Sequence, residues 1–271
     1  MARELTLVTE GVWVATSRLY QTASTLVAAG RKALLIDPAW TPDELIGLGE
    51  AISDLGLEVT CGFSTHAHFD HLLWHASYGS PPRWATARSV TVAASENEAL
   101  REQLGEALAA CVGDTFARVE PVPGDHLPLP FGEAGAHEAV EVIVHDGHVP
   151  GHGALWFPER KLLLAADMLS DLEMPLPFNP DDLGAYLAAL DALAPYVRRA
   201  SFLITGHGTP TDQPLARLDA DVELLDVLLA GKEVADQRRA YRGGEETYLK
   251  LKELAGTFSG RVSRGADEAV G

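Results

Sequence analysis

The sequence predicts an α+β fold, with two layers of β-sheet covered by helices. Segments typical of strands and of helices alternate as β, α, β, α, and the same order recurs in the second half. Apolar residues make up 46% of the 271 residues, which allows one large core or two small ones. No internal repeat and no Gly/Ser- or Pro-rich linker marks a boundary. We therefore predict a single domain over residues 1–258 and a flexible tail over 259–271.

The first half contains short strands and two helical segments. Residues 5–37 predict short strands, because β-prone runs there are separated by Glu-Gly and Gly-Arg turn signals. From Thr41, an N-cap residue, a proline and apolar residues at helical spacing predict a helix that ends at a glycine. The segment LEVTCGFS then predicts a buried strand, and residues 88–111 are the longest helical candidate of this half.

The second half repeats this order. EAVEVIVHD and ALWFPERKLLLAAD are typical of strands, and the Pro-Glu-Arg sequence between apolar runs predicts a hairpin. PDDLGAYLAALDALAPYV predicts a helix and ASFLIT a strand. Residues 214–241 predict one long terminal helix, whose leucines are expected to pack onto the sheet.

Charge and cysteine content narrow the classes of function. The formal net charge of −18 favours solubility and argues against a nucleic-acid partner. Only two cysteines occur and they form no C-x-x-C pair, which excludes a disulfide framework and suits a reducing compartment. The N-terminal residues do not resemble a secretory signal, and no apolar run is long enough to span a membrane. We therefore expect a cytoplasmic protein without a membrane partner. The sequence does not indicate its oligomeric state.

Three histidines and an aspartate lie within THAHFDH, residues 65–71, directly after a predicted buried strand. His66 and His68 project the same way if the chain is locally extended, and Asp70 and His71 fall on the turn that follows. Two adjacent pairs of donors suit two metal ions better than one. Imidazole and carboxylate ligands indicate zinc, iron or manganese.

Further donors stand at the ends of later strands. VHDGHVPGHG offers His145, His148 and His152 after one predicted strand. Asp167 ends the apolar run LLLAAD, and His207 lies between two glycines after FLIT. Buried carboxylates are rare without a partner, so Asp167 is expected to belong to the same site.

Taken in this order, these motifs resemble the metallo-β-lactamase superfamily. The resemblance rests on HAHFDH at 66–71, Pro-Gly-His ending at His152, Asp167, and Gly-His-Gly around His207, and it spans roughly residues 10–210. It implies a four-layered αββα sandwich of two mixed sheets flanked by helices, with the metal ions at one edge.

The resemblance also implies a role for each of seven residues. Three imidazoles would hold a first divalent metal ion: His66, His68 and His152. A carboxylate and two imidazoles would hold a second: Asp70, His71 and His207. Asp167 would bridge the two ions. Zinc is the expected metal, with iron and manganese as alternatives.

The implied activity is that of a dinuclear metal-dependent hydrolase. It would use a metal-bridging hydroxide on a small carbonyl substrate, which is an ester, thioester, lactone or amide. Asp70 is the catalytic candidate because it could also orient that hydroxide. Alternatives are an iron-dependent oxidoreductase of the same fold, a β-lactamase, and a non-catalytic binding protein. The absence of a recognisable secretory signal argues against the β-lactamase.

Four residues are predicted to contact the substrate. Many members of the superfamily have a glycine pair after the first motif, where this chain has large side chains. Acyl-homoserine lactonases have a tyrosine three residues after the bridging aspartate, and in this chain that position is Ser170. The loop at residues 170–182 is long, proline-rich and apolar, as pocket loops often are. The predicted contacts are Trp74, His148, Ser170 and Met174.

The remaining candidates have simpler explanations. His75, His126 and His137 are expected not to be ligands, and Cys61 is expected to be a small buried hydrophobe. The basic stretch DQRRAYR, residues 236–242, could bind an anionic substrate group, but on a terminal helix such a stretch is more often solvated surface.

Overall fold

The computed structural model describes residues 4–128, 139–178 and 180–268, with side chains through residue 258. Its first sheet places seven strands side by side in chain order. They are β1 (Thr6–Thr9), β2 (Val12–Thr16), β3 (Ala23–Ala29), β4 (Lys32–Ile36), β5 (Glu58–Phe63), β6 (Arg83–Ala85) and β7 (Glu120–Pro121). Strands β1 to β4 pair antiparallel and β4 to β7 pair parallel, so the sheet is mixed.

The second sheet has five strands in the order β12-β11-β10-β9-β8. They are β8 (His126–Leu127), β9 (Val140–His145), β10 (His152–Phe157), β11 (Leu162–Ala166) and β12 (Phe202–Thr205). Only β11 and β12 are parallel, which makes this sheet mixed as well. The predicted hairpin is confirmed, because Phe157 pairs with Leu162 across the Pro-Glu-Arg-Lys turn.

Helices cover both outer faces. The first sheet is covered by α1 (Pro42–Asp54), α2 (Ala87–Ser95), α3 (Asn97–Glu102) and α4 (Gly105–Val112). The second sheet is covered by α5 (Leu183–Val197), α6 (Pro214–Leu229) and α7 (Gly244–Glu268). The four-layered αββα sandwich expected from the sequence is therefore confirmed. No helix in the described ranges is long and apolar enough to cross a bilayer.

The central core lies between the two sheets and follows from strand periodicity. On β4, Leu34 and Ile36 face the second sheet, whereas Leu35 faces α1. On β10, Phe157 faces the first sheet, whereas Trp156 packs against the α5 side. Successive side chains of a strand point to opposite faces, so each of these strands contributes to two layers of core.

The segment at residues 88–111 differs from the single helix that was predicted. It forms α2, α3 and α4, because Glu96 leaves helical geometry at φ −106° and ψ 12° and Gly105 has φ +68°. A φ in the left-handed region ends a helix and is favourable at glycine. The periodicity of the segment is helical throughout, but the chain turns twice.

The prediction of one helix over residues 214–241 was wrong. Helix α6 ends at Leu229, and Gly231 adopts φ +70° just beyond it, as glycine does at many helix C-termini. A further helix, α7, begins at Gly244, and its backbone runs to Glu268. Side chains of 259–268 and all of 269–271 lie outside the described residues, so the flexible tail stays a prediction.

Replacing Phe157 by alanine is expected to lower the free energy of unfolding by about 3–5 kcal/mol, because it leaves a cavity between the sheets. Phe157 is 0% exposed. The control is Val144→Ala on β9, where the side chain is 57% exposed and the change should be below about 0.5 kcal/mol. Urea unfolding followed by circular dichroism measures both, and equal losses would contradict an inter-sheet core at Phe157.

Candidate metal centre

The candidate site lies at one edge of the sandwich, where strands of both sheets end. From the first sheet, Asp37 follows β4 and the segment 65–71 follows β5. From the second sheet, His148 follows β9, Asp167 follows β11 and His207 follows β12. Because β4 and β5 are parallel, as are β11 and β12, their carboxyl ends meet at this edge. The two sheets therefore contribute about equally to the site.

One group of donors joins three imidazoles and a carboxylate. His66 Nε2 lies 3.0 Å from His68 Nδ1, and His148 Nε2 lies 3.2 Å from the same atom. Together with Asp167, these residues offer ligand atoms that all lie within 4.8 Å of one another. This group has the size and the donor chemistry of a metal site.

A second group lies beside the first. His71 Nε2 is 3.3 Å from Asp70 Oδ2, and His207 Nε2 is 3.9 Å from the same oxygen. Ligand atoms of these three residues also lie within 4.8 Å of one another, and all three residues are buried. Every donor in both groups is a nitrogen or an oxygen atom.

The carboxylate of Asp167 stands between the two groups. Its Oδ2 atom lies 3.5 Å from the Nε2 atoms of His66 and His148. The same oxygen lies 3.4 Å from the Nε2 atoms of His71 and His207. The Asp167 side chain is only 4% exposed. One buried oxygen is thus shared by two imidazoles of each group.

Hydrogen bonds on the far side of four of the five rings aim these imidazoles at the centre. His66 Nδ1 contacts Thr65 Oγ1 at 3.0 Å, and His71 Nδ1 contacts Asp37 Oδ2 at 2.9 Å. The other two rings use main-chain carbonyls, since His148 Nδ1 is 3.2 Å from the oxygen of Leu176 and His207 Nδ1 is 2.9 Å from that of Tyr20. Such contacts hold each of these rings with Nε2 directed at the centre.

Asp37 and Tyr20 were missed in the sequence. Asp37 receives hydrogen bonds from the main-chain N–H and the hydroxyl of Thr65 as well as contacting His71, and it adopts φ +46°. A left-handed φ is uncommon outside glycine and concentrates at functional sites. The signal for Asp37 was present, because it directly follows the apolar run ALLI as Asp167 follows LLLAA. Tyr20 contributes its main chain, which leaves no signal in the sequence.

The carboxylates are held in their ionised form. Burial raises the pKa of Asp167, but the imidazoles of His71, His207 and His66 outweigh burial and hold it well below its usual range. Burial also raises the pKa of Asp70, but His71 and His207 outweigh burial and lower this pKa below its ordinary value. Both carboxylates are therefore negatively charged at neutral pH.

The imidazoles divide into two kinds. Burial alone would lower the pKa of His71, but Asp167, Asp70 and Asp37 raise it well above the ordinary value. Burial also acts to lower the pKa of His207, but Asp167 and Glu173 outweigh it and raise this pKa to about 10. Burial lowers the pKa of His148 to about 3 and that of His66 well below its usual range. His66 and His148 are therefore neutral imidazoles.

The structure places His148, and not His152, in the first group. Pro150 and Gly151, which has φ +78°, turn the chain after His148, and His152 then begins β10 opposite His145. The His152 ring stacks on His66 at 5.0 Å and on His145 at 4.5 Å, and its Nε2 accepts a hydrogen bond from the main-chain N–H of Asp167 at 3.3 Å. The sequence offered both histidines, and only the turn separates their positions.

The other predicted substrate residues do not line the centre. Trp74 is 1% exposed and packs in the core between the first sheet and its helices, with its Nε1–H donating to the Gly79 carbonyl. Met174 is 3% exposed and belongs to the core under α5 to α7. The Ser170 hydroxyl donates to the main-chain oxygen of His207. These three side chains support the fold around the centre instead of forming its surface.

The remaining candidates fall outside the centre. His75 contacts Ser77, and His126 is exposed beside Asp125. His137 lies outside the described residues. Cys61 is buried as expected, and burial raises the pKa of its thiol to about 12.

A cavity of about 600 Å³ opens beside His68 and Asp70. Its apolar wall includes Phe69 from the segment 65–71, together with Val92 of α2 and Leu100 of α3. The two helix residues were not singled out in the sequence, because residues on a helix face carry no sign of which cavity they border. The cavity gives a small molecule access to both groups of donors.

A family model described as "Metallo-beta-lactamase superfamily" matches residues 17–207. No curated protein matches the chain significantly. Among solved structures, a beta-lactamase domain protein from Burkholderia ambifaria has a TM-score of 0.62 and 19% identity, covering 85% of this chain and 79% of that one.

Two further structures have the same fold. A metallo-beta-lactamase family protein from Thermus thermophilus has a TM-score of 0.57 and 24% identity, covering 82% of this chain and 83% of that one. A metallo-beta-lactamase from Pontibacter korlensis has a TM-score of 0.58 and 19% identity, covering 82% of this chain and 99% of that one.

Gly206→Ala is expected to displace Asp167, because a Cβ atom at Gly206 would overlap Asp167 Oδ1 and lie 3.0 Å from the Ala166 carbonyl carbon. The free energy of unfolding should fall by about 1–3 kcal/mol. In metal-free protein, the pKa of His207 should fall from about 10, because it loses its main carboxylate neighbour. Urea unfolding and NMR titration of the imidazole measure the two effects.

Gly256→Ala is the control for this substitution. Gly256 lies in α7, and an added Cβ would meet nothing within 4 Å. It should leave the pKa of His207 unchanged and be neutral or stabilising by up to about 1 kcal/mol. An unchanged His207 titration in Gly206→Ala would contradict the predicted displacement.

Proposed function

Because the chain belongs to the metallo-β-lactamase superfamily, we propose that it is a metal-dependent hydrolase that binds two divalent cations and acts on a small carbonyl substrate. The observation that carries the proposal is the position of Asp167. Its Oδ2 atom lies 3.4–3.5 Å from one imidazole nitrogen on each of four histidines, two from each donor group. A carboxylate oxygen shared by two adjacent donor groups suits a pair of cations a few ångström apart.

The donor set fits such a pair. In the described part of the chain, His71 Nε2 is buried and has no well-aligned hydrogen-bond acceptor, although two carboxylate oxygens lie 3.3 and 3.4 Å away. Buried polar atoms in proteins are nearly always hydrogen-bonded, so each exception calls for an explanation. A cation among these nitrogen and oxygen atoms would satisfy them.

We assign the ligands as follows. The first cation would be held by His66, His68 and His148. The second would be held by Asp70, His71 and His207, and Asp167 would be shared. His148 thus takes the place that the sequence resemblance gave to His152. His152 instead accepts the Asp167 N–H, which makes it a support for the shared carboxylate.

When bound, two such cations would lower the pKa of a water molecule and polarise a carbonyl group. Asp70 is ionised and lies at the cavity wall, so its carboxylate is placed to orient a water molecule and accept its proton. Phe69, Val92 and Leu100 would contact the apolar part of the substrate. The size of the cavity supports a small ester, thioester, lactone or amide.

The nature of the metal separates this proposal from its main alternative. Nitrogen and oxygen donors suit zinc, and they also suit iron and manganese. Iron would indicate an oxidoreductase of the same fold, and β-lactams belong among the substrates to test. The net charge of −18 favours a small-molecule partner over a nucleic acid, and we propose that the protein works in the cytoplasm.

Elemental analysis of protein purified without added metal tests the ligand assignment. We expect about two zinc ions per chain, because the site offers two donor groups around one carboxylate. Asp167→Ala should lose metal from both groups. His148→Ala should keep about one ion, whereas His152→Ala should keep about two with affinity weakened about 10–100-fold, as for other supports of metal ligands.

His126→Ala is the matched control, since the His126 side chain is exposed and its imidazole contacts Asp125, away from the centre. It should bind metal like the wild type. Retention of both ions by His148→Ala with loss of one by His152→Ala would show that the assignment is wrong. Protein that takes up no metal after reconstitution would contradict the proposed function.

Asp70→Asn is expected to lower kcat by about 10²–10⁴-fold on whichever substrate the wild type hydrolyses, because the amide cannot accept a proton. The screen should include esters, thioesters, lactones and β-lactams, with metal content measured in the same preparation. An Asp70→Asn variant that keeps both metal ions and full kcat would show that Asp70 has no role in proton transfer.

A further inference from the structure

The connection between α6 and α7 contains a buried arginine that the proposed hydrolysis does not use. Residues Gln237–Ala240 form one short 3₁₀ turn, and they lie outside the range 17–207 matched by the family model. Arg238 is 5% exposed, whereas the sequence suggested that this basic stretch is solvated. A buried arginine needs partners for its charge and its donors.

Two aspartates neutralise Arg238. Its Nη1 atom donates to Asp221, and Nη2 donates to Asp236 Oδ2 at 2.8 Å. Asp221 is 1% exposed and also accepts a hydrogen bond from the Tyr186 hydroxyl at 3.3 Å. The guanidinium is therefore fixed to α5 and α6 through buried groups, and it is not available to an anionic ligand.

The remaining contacts of Arg238 reach the loop after Asp167. Nη1 donates to the main-chain oxygen of Ser170 at 3.1 Å and approaches that of Glu173 at 3.5 Å. The planar fork lets Nη1 bind Asp221 and the Ser170 oxygen while Nε and Nη2 bind Asp236, and a lysine ammonium cannot reach all of these acceptors from one point. Arg238 thus holds the Ser170 end of the Ser170–Glu173 turn and lies beside the Glu173 end.

Ser170 carries this connection to the metal centre. Its hydroxyl donates to the main-chain oxygen of His207 at 2.8 Å and accepts hydrogen bonds from the N–H groups of Leu172 and Glu173, each at 3.0 Å. His207 is one of the three residues of the second donor group. A continuous set of hydrogen bonds therefore runs from Arg238 through Ser170 to His207.

We propose that Arg238 is a positioning residue for His207, acting through the Ser170 turn. If the protein binds two cations as proposed above, Arg238 also sets the affinity of the site for the second cation. This part of the proposal rests on the proposed function. The first cation depends on it less, because two of its imidazoles, His66 and His68, follow β5 of the first sheet and have no hydrogen bond to the Ser170 turn among the described contacts. The C-terminal segment, beyond the region matched by the family model, would then complete the metal centre.

The test compares four variants in full-length protein. Arg238→Gln is combined with Asp221→Asn so that the fully buried carboxylate of Asp221 is not left unpaired, and Ser170→Ala removes the next hydrogen bond toward His207. Arg238→Lys keeps the charge without the planar fork. Arg239→Gln is the matched control, because Arg239 is adjacent and pairs with Glu245 and the Tyr248 ring, away from the centre.

Two readouts are expected to change selectively. In metal-free protein, hydrogen–deuterium exchange of peptides covering 168–174 and 205–209 should accelerate about tenfold or more in the Arg238 and Ser170 variants, with other core peptides unchanged. Zinc titration should show affinity for the second equivalent reduced about 10–100-fold and affinity for the first within about threefold. Arg238→Lys should not restore either readout, and Arg239→Gln should match the wild type.

Combining Ser170→Ala with the Arg238 variant tests whether both residues act through one connection. Residues in one network are non-additive, so the combination should add less than about a twofold further change. Fully additive effects, rescue by lysine, or equal acceleration of exchange in all core peptides would overturn the proposal. If the wild type binds no second metal ion, the proposed function fails, and the exchange experiment still decides whether Arg238 positions His207.

Discussion

The buried carboxylate of Asp167 is the constraint on which the rest of the site depends. An isolated ionised carboxylate cannot be buried without a large cost in free energy, so it must be surrounded by compensating groups. Here four imidazoles approach one of its oxygens, and they come from both sheets. The position of Asp167 at the end of β11 therefore ties the packing of the two sheets to the geometry of the centre. The core between the sheets is in this sense part of the functional site.

The backbone conformation near the centre adds a second cost in free energy. Asp37, Ala166 and Leu169 all adopt left-handed φ values, between +46° and +62°, although none is glycine. Two of them flank Asp167, and the third supports His71. Such conformations cost about 1–3 kcal/mol each and persist where surrounding contacts determine them. The hydrogen bonds of Asp37 to Thr65 and His71 are contacts of that kind.

The contacts around the centre form successive shells, which begin at Asp167 and extend outward. The other donors surround Asp167, then Thr65, Asp37 and the carbonyls of Tyr20 and Leu176 orient the rings. Ser170 and Arg238 fix the main chain behind His207. Each outer group restricts the one inside it, so a change far from the donors can still alter their geometry. These contacts connect His207 to the segment beyond α6.

The sequence alone determined the longer strands, the segment 65–71, and the importance of Asp167 and His207, because these depend on local patterns of apolar and polar residues. The short strands β6 and β7 were not predicted. It did not distinguish His148 from His152, since their side-chain positions depend on the turn at Pro150 and Gly151. It also could not place Trp74 in the core or break the helical segments at Glu96 and Gly231. Arg238 meets Ser170 only after the chain has passed through two more helices and a strand. Contacts between residues far apart in sequence are set by packing, and only the tertiary structure decided them.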